Sequence, residues 1–349
     1  MIKIPAGYDS LLVTHLPNVR YLTGFSGSAG CVLVTGSRKL FFTDFRYRAQ
    51  AMRQVKGFDV HIVPSGALAG ACGYAAKRRL KLGIIGFEAA HLSQRSFLEI
   101  KKILKGTRFK DAGGIVEKKR LVKSRSEIGR IRKACALADL AMAKLRRTKV
   151  TGRTEKEVAW MLETAMREAG SDALPFEIIV ASGPRSAMPH GVASGRVIRP
   201  DELVVVDLGA SVDGYCSDIT RTFATGGLSR RQAEIYRIVQ EAQQAALEGA
   251  GPGVPCSDLD GIARGHITAS GYGEAFGHSL GHGVGLEAHE GPVLAPRSNE
   301  ILRAGMIVTI EPGIYVERVG GVRIEDTILV GPSGPERLTG FTRELTRLR

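Results

Sequence analysis

The chain has 349 residues, of which 44% are hydrophobic, and a net charge of +14 at pH 7. That length exceeds one typical core and predicts two domains, while no apolar run reaches the roughly 18 residues of a membrane span. The basic surplus lies in short runs (Lys77-Arg78-Arg79, Lys118-Lys119-Arg120, Arg146-Arg147) without interleaved aromatics, which argues against nucleic acid or a membrane as partner.

The first residues, Met1-Ile2-Lys3-Ile4-Pro5-Ala6-Gly7, carry no apolar segment of a signal peptide. The five cysteines (Cys31, Cys72, Cys135, Cys216, Cys256) are scattered and form no C-x-x-C pair. Both observations predict a cytoplasmic protein with reduced, structural thiols. In chain order, Cys31 to Val34 and Leu40 to Thr43 read as strands around the turn Thr35-Gly36-Ser37-Arg38. Tyr47 to Val55 reads as helix and Leu82 to Phe87 as a buried strand, giving an α/β domain over residues 1–120. The charged stretch from Glu117 to Lys123 marks the boundary, and 121–349 forms the second domain.

A long helix opens near Ser124, with Ile128, Ile131, Cys135, Ala138, Met142 and Leu145 on one face. Thr154 with Glu157 forms a capping box for a helix ending at Gly170. Strands follow at Glu177 to Ala181, Glu202 to Ala210 and Tyr215 to Phe223. Helices return, one capped by Ser229 with Gln232 and one by Ser257 with Asp260, and strands return at Met306 to Val316 and Val322 to Val330. Helix, helix, strands thus occurs twice, which predicts two similar halves in an α+β domain.

Five residues of this second domain have the chemistry to hold two divalent cations: Asp207, Asp218, His282, Glu311 and Glu325. Val212-Asp213-Gly214 between the two aspartates is a hairpin turn signal. An even loop puts one odd and one even position on the same face, and a two-residue loop at Val212-Asp213 makes the aspartates direct neighbours. Two carboxylates facing each other repel, so the pair calls for a cation, either a metal or an Arg or Lys. Glu311 and Glu325 also share a face if their loop is odd, for example five residues centred on Arg318. His282 lies in the glycine-rich run Gly277-His278-Ser279-Leu280-Gly281-His282-Gly283-Val284-Gly285. An oxygen-rich set with one imidazole favours Mn, with Co, Fe or Zn as alternatives.

These motifs resemble the proline-specific branch of the pita-bread metallopeptidases. The residues that carry the resemblance are Asn18-Val19-Arg20-Tyr21-Leu22-Thr23-Gly24-Phe25, Thr43-Asp44-Phe45-Arg46-Tyr47, Met188-Pro189-His190-Gly191, the two-aspartate hairpin, Gly281 to Gly285, His289-Glu290, Glu311-Pro312-Gly313 and Arg323-Ile324-Glu325-Asp326. The resemblance implies an α+β pita-bread (creatinase/aminopeptidase) catalytic domain behind an α/β creatinase-like N-terminal domain, and a homodimer acting on short proline-containing peptides. It implies that Asp207 chelates one metal, that Asp218 and Glu325 bridge both, and that His282 and Glu311 bind the second. Glu311 would also shuttle the proton. His289 would position the carbonyl or stabilise the tetrahedral intermediate, and His190 would contact substrate near the scissile amide. His278 and Arg323 match positions that shape the proline-side pocket. Some dipeptidase members place an arginine after the His289-Glu290 motif to hold the substrate carboxylate. Here that segment reads Gly291-Pro292-Val293, and Arg297 is the nearest candidate. The expected activity is therefore Xaa-Pro aminopeptidase first, with Xaa-Pro dipeptidase, methionine aminopeptidase and a metal-free binding module as alternatives. Gly277 to Gly281 also matches the G-x-S-x-G elbow of serine hydrolases. The glycines and proline that follow argue against the helix that motif needs, and no histidine follows His289.

Overall fold

The protein is described by a computed structural model covering residues 3–64 and 66–348; Met1 and Ile2 of the leader reading, with Ser65 and Arg349, lie outside the described residues. The chain divides into two compact units, residues 1–120 and 121–349.

The first unit runs β1 (Ser10–Val13), α1 (Leu16–Thr23), β2 (Cys31–Thr35), β3 (Lys39–Thr43), α2 (Arg48–Gln54), β4 (Asp59–Ile62), α3 (Ala67–Lys77), β5 (Ile84–Phe87), α4 (Gln94–Ile103), β6 (Arg108–Asp111) and α5 (Glu117–Arg120). Its sheet has the order β4-β3-β2-β1-β5-β6. Strand β2 is antiparallel to β1 and β3, and the outer pairings are parallel. Parallel neighbours need crossovers, and α2 and α4 supply them between β3 and β4 and between β5 and β6. Alternate residues bury on opposite faces: Leu12, Leu33, Leu40 and Phe42 on one side, Leu11, Val13, Val32 and Phe41 on the other. That two-sided burial explains the unbroken apolar runs. The helix expected over Tyr47 to Val55 starts one residue later, after a 3-10 turn, Phe45–Tyr47, capped by Asp44.

The second unit opens with α6 (Arg125–Arg147) and α7 (Glu155–Glu168); α7 begins with the expected capping box at Thr154/Glu157, and α6 begins with a second one, Ser124/Glu127. Strands β7 (Ile179–Ser182), β8 (Leu203–Leu208), β9 (Ser211–Val212), β10 (Tyr215–Cys216) and β11 (Ile219–Ala224) follow. Then come α8 (Arg230–Gly249) and α9 (Cys256–Ala269), and β12 (Gly281–Gly283), β13 (Glu290–Leu294), β14 (Ile307–Ile310), β15 (Gly313–Val316), β16 (Gly320–Arg323), β17 (Asp326–Gly331), β18 (Gly334–Arg337) and β19 (Thr346–Arg347). Two sheets result, β19-β11-β8-β7 and β13-β12-β14-β17-β18, with the hairpins β9-β10 and β15-β16 beside them. The repeated pattern has a packing counterpart. Ala138, Met142 and Leu145 of α6 and Leu162 of α7 bury against Val204, Val206 and Phe223. Ile235, Val239 and Ala246 of α8 and Leu259 and Ala263 of α9 bury against Val308, Ile310 and Ile328.

Three local expectations are corrected. The hairpin turn is Asp213-Gly214, with φ of 49° and 72°, not Val212-Asp213. A two-residue turn of this type needs positive φ at both central residues, which β-branched Val212 resists. Asp207 therefore faces Thr220, and Asp218 is displaced by two residues but keeps the same parity. The second hairpin closes in three residues, Glu317-Arg318-Val319, still centred on Arg318, because Val316 pairs with Gly320. Finally, Ser257 does not cap α9: the helix starts at Cys256 after Pro255. Asp260 is instead buried and accepts from Arg264 and the Leu280 amide.

Candidate metal centre and active site

Asp207 ends the run Leu203-Val204-Val205-Val206 on β8, which is flanked by β7 and β11. The other three acids lie where pairing stops: Asp218 between β10 and β11, Glu311 just after β14, and Glu325 between β16 and β17. Pro312 has no N–H to continue the ladder beyond Glu311. His282 lies in the short strand β12 between β13 and β14. Only glycine fits on either side of it. A Cβ on Gly281 would lie 2.1 Å from Thr309 O, and one on Gly283 would lie 1.9 Å from Gly291 O. The loop before β12 is held by Asp260 through Leu280 N and by Arg264, which donates to Phe276 O and His278 O.

The five residues converge. His282 Nε2 is 3.2 Å from Glu311 Oε1 and 3.7 Å from Asp218 Oδ2. Ligand atoms of Asp207, Asp218 and Glu325 lie within 4.8 Å of one another, as do those of His282, Glu311 and Glu325, and those of Asp218, His282 and His289. A cavity of about 420 Å³ receives all five, together with His190, His278, His289 and Arg323. Phe176, Ile179, Pro189 and Val192 form its apolar wall.

The donor set fits divalent cations on three counts. Asp207 Oδ1 and Glu325 Oε1 are buried without a hydrogen-bond partner, an arrangement that is unfavourable unless something positive meets them. His282 Nδ1 contacts Gly283 O at 3.1 Å and must donate to it, which leaves the Nε2 lone pair free for a metal. Burial, then the neighbouring carboxylates, pushes Asp218 and Glu325 well above the usual carboxylate range. Asp207 is also raised by burial, against the opposing charge of Arg323. Burial would raise Glu311 as well, but the hydrogen bond and charge of His282 outweigh it, and Glu311 falls below its ordinary value while His282 rises.

Around this centre Arg323, 4% exposed, donates from Nη2 to Asp207 Oδ2 at 2.7 Å. Its Nη1 donates to Tyr315 OH at 2.8 Å and to Pro189 O at 3.1 Å. Tyr315 OH in turn lies 3.0 Å from His278 Nε2, and His278 Nδ1 donates to Ser279 O. Burial lowers the pKa of both His278 and His289, so both imidazoles are neutral at pH 7. Arg297 does not join them: it is exposed in the loop after β13 and is not among the residues lining the cavity. Ser279 lines the cavity, but it is followed by the three-residue strand β12 and not by a helix, so no nucleophile elbow forms. Two residues of the site were missed from sequence. Thr220 and Tyr315 each lie an even step along the chain from an acid (Asp218 and Glu311), and that spacing was the available signal.

A model of metallopeptidase family M24 matches residues 129–332, more than half of the chain. The chain belongs to metallopeptidase family M24. A Creatinase/Prolidase N-terminal domain model matches residues 5–122 of this M24 chain. An Xaa-Pro dipeptidase of Pyrococcus horikoshii is 42% identical over 342 residues, 97% of this chain and 94% of the relative. The solved structure of an Xaa-Pro dipeptidase from Bacillus anthracis superposes with a TM-score of 0.94 at 43% identity, over 98% of this chain and 96% of that one. An X-Pro aminopeptidase structure from Thermotoga maritima superposes with a TM-score of 0.89 at 36% identity, over 98% of each chain. The fold is the pita-bread fold with its creatinase-like N-terminal domain, and the protein is a metallopeptidase.

Proposed function

We propose that this peptidase is an Xaa-Pro dipeptidase, cleaving the bond between a first residue and a C-terminal proline. The observation that carries this reading is similarity along almost the whole chain to Xaa-Pro dipeptidases at 42% and 43% identity. It reverses the expected order, in which the absence of a secure carboxylate-binding arginine placed aminopeptidase first. A specific observation keeps aminopeptidase as the second reading. Among the described residues lining the cavity, the one guanidinium, Arg323, is already held by Asp207, Tyr315 and Pro189.

Asp207 would hold one cation, Asp218 and Glu325 both, and His282 and Glu311 the other. Manganese suits this oxygen-rich set. When bound, two divalent cations supply a nucleophilic water at neutral pH and polarise the scissile carbonyl. Glu311 would accept a proton from the attacking water and return it to the proline nitrogen as the C–N bond breaks. Neutral His289 donates to the carbonyl oxygen as negative charge develops there. His190 contacts the substrate beside the scissile amide, and His278 and Arg323 shape the proline pocket. A proline amide has no N–H and a fixed φ, so recognition by ring shape and carbonyl polarisation suits it. A reducing cytoplasmic location accords with five free, buried cysteines, and a homodimer is inferred from the family resemblance.

The test is a panel of Xaa-Pro dipeptides against Xaa-Pro-Yaa peptides, each with Mn²⁺, Co²⁺ and Zn²⁺. Dipeptides turned over at least tenfold faster support the dipeptidase. Preference for the longer peptides establishes the aminopeptidase, and no hydrolysis of either refutes both.

A further inference from the structure

The two sheets that supply the acids share no strand ladder, yet side chains stitch them together beside the metal centre. Thr222 Oγ1 donates to Arg323 O and accepts from Arg323 N, both at 3.0 Å. Glu325 N donates to Thr220 O at 3.0 Å. Thr327 Oγ1 donates to Asp218 O at 2.7 Å. Each pair steps two residues back along β11 and two forward along β16 and β17, so the seam behaves as an antiparallel register built partly from threonine hydroxyls. Behind it Arg221, 1% exposed, donates to Thr220 O, Glu325 O and Asp326 Oδ1 and fixes that register.

Within this seam one hydroxyl has its direction forced. Arg323 Nε donates to Thr220 Oγ1 at 3.1 Å, and a guanidinium can only donate. The Thr220 proton is therefore committed to Glu325 Oε2, 2.7 Å away. The same guanidinium takes Asp207 Oδ2 through Nη2. Each of the two acids thus has one oxygen engaged by Arg323, directly or through Thr220. Each also has its second oxygen, Asp207 Oδ1 and Glu325 Oε1, buried and without a partner.

We propose that Thr220 is a positioning residue for Glu325: its hydroxyl, oriented by Arg323, holds Oε2 and so fixes the rotation of the carboxylate that would hold the metals. The inference rests on the metal-centre reading above and assigns the orienting role to a residue outside the ligand set. Partners that orient metal ligands typically set affinity by about 10–100-fold, so the readout is metal binding and not turnover alone.

The experiment uses full-length protein stripped of metal and titrated with Mn²⁺ against a chromophoric chelator. Thr220→Val keeps the β-branched shape and removes the hydroxyl, and should weaken Mn²⁺ binding at one site or both by about 10–100-fold. Thr220→Ser restores the hydroxyl and should bind within about threefold of the parent. Thr220→Ala also lacks the hydroxyl and serves if the valine variant does not fold. Hydroxyl-free variants that bind both ions as the parent does overturn the proposal, as does a serine variant as weak as valine. Glu325→Gln separates the two readings. If it leaves both sites intact, the ligand assignment itself is wrong; if it weakens binding while the hydroxyl-free variants do not, only the role of Thr220 falls.

Discussion

Adding Mn²⁺ to the metal-free protein should stabilise the 121–349 unit strongly, and the pH dependence of that stability should reverse. Four carboxylates meet at the centre, with Arg323 bonded to one of them. Each site filled at about 100 times its Kd adds about 2.7 kcal/mol. Two sites give about 5 kcal/mol, and a unit of this size gains roughly 2–4 °C per kcal/mol, so Tm should rise by roughly 10–20 °C. Without metal, Asp207, Asp218 and Glu325 have pKa values raised in the fold. The native state then binds more protons than the unfolded chain, and these groups lose stability as pH rises from the ordinary carboxylate range towards their folded pKa values. His282, also raised, contributes stability below its ordinary value that is lost as pH rises through its folded pKa. Glu311 is lowered, so its contribution is present above the ordinary carboxylate value and is lost as pH falls through its folded pKa. Metal-free protein should therefore gain Tm on acidification from pH 7.5 to about pH 5, whereas metal-loaded protein should lose it, because protons compete for the ligands. Asp218→Asn should likewise raise the metal-free Tm and lower the metal-loaded one. Calorimetry with chelator or Mn²⁺ decides the matter. Parallel pH slopes in the two states, or no shift with Mn²⁺, would refute the argument.

Three further outcomes follow from the same geometry. Asp218→Ala should abolish hydrolysis even with millimolar Mn²⁺, since its carboxylate lies in two of the three ligand clusters; activity near the parent level would remove Asp218 from the centre. His289→Ala should cut kcat by about 10²–10³-fold, the usual effect of losing one donor to a developing oxyanion, while metal analysis still finds the parent metal content; loss of metal would instead make His289 a ligand. Arg297→Ala should leave Xaa-Pro hydrolysis unchanged, because the side chain is exposed outside the cavity lining; a tenfold higher KM would show that it reaches the substrate.

Much of the site was legible because side-chain parity survives errors in loop length. Asp207 and Asp218 share a face even though the turn lies one residue further on than expected, and Glu311 and Glu325 keep their register although the loop has three residues instead of five. Helix starts at Thr154 and Ser229 were legible because a capping box is local chemistry, and the one near Ser124 because an apolar face follows it. Ser257 and Asp260 show the same letters failing: Pro255 ends the extended segment first, and a distant partner, the Leu280 amide, claims the aspartate. The breaks at Ser217-Asp218 and Ile324-Glu325 were not legible, since each is a short interruption with strand-forming residues on both sides; only Pro312 marks its break, after Glu311, in the sequence. Thr220 and Tyr315 were missed because a threonine or tyrosine in a strand is ordinary until Arg323 reaches it from elsewhere.

Those breaks explain how few residues can build the centre. Within a regular strand, side chains on one face recur about 7 Å apart, which is too wide for two carboxylates to share an ion. Where the ladder stops, the backbone is free to turn, and Asp218, Glu311 and Glu325 all sit at such points. Asp207 alone remains in regular β8, and there a guanidinium comes to it instead. Neither half suffices: the first supplies Asp207 and Asp218, the second His282, Glu311 and Glu325. Two of the three ligand clusters draw on both. The seam of Thr220, Thr222 and Thr327 lies directly beside the acids, so the contacts that join the halves also set the spacing of the ligands. Slippage by one residue along that seam would turn Thr220 away from Glu325 and separate the carboxylates; buried Arg221 opposes it by donating to Thr220 O, Glu325 O and Asp326 Oδ1, while its remaining contacts, to Phe341 O and Thr342 O, tie the seam to the C-terminal segment.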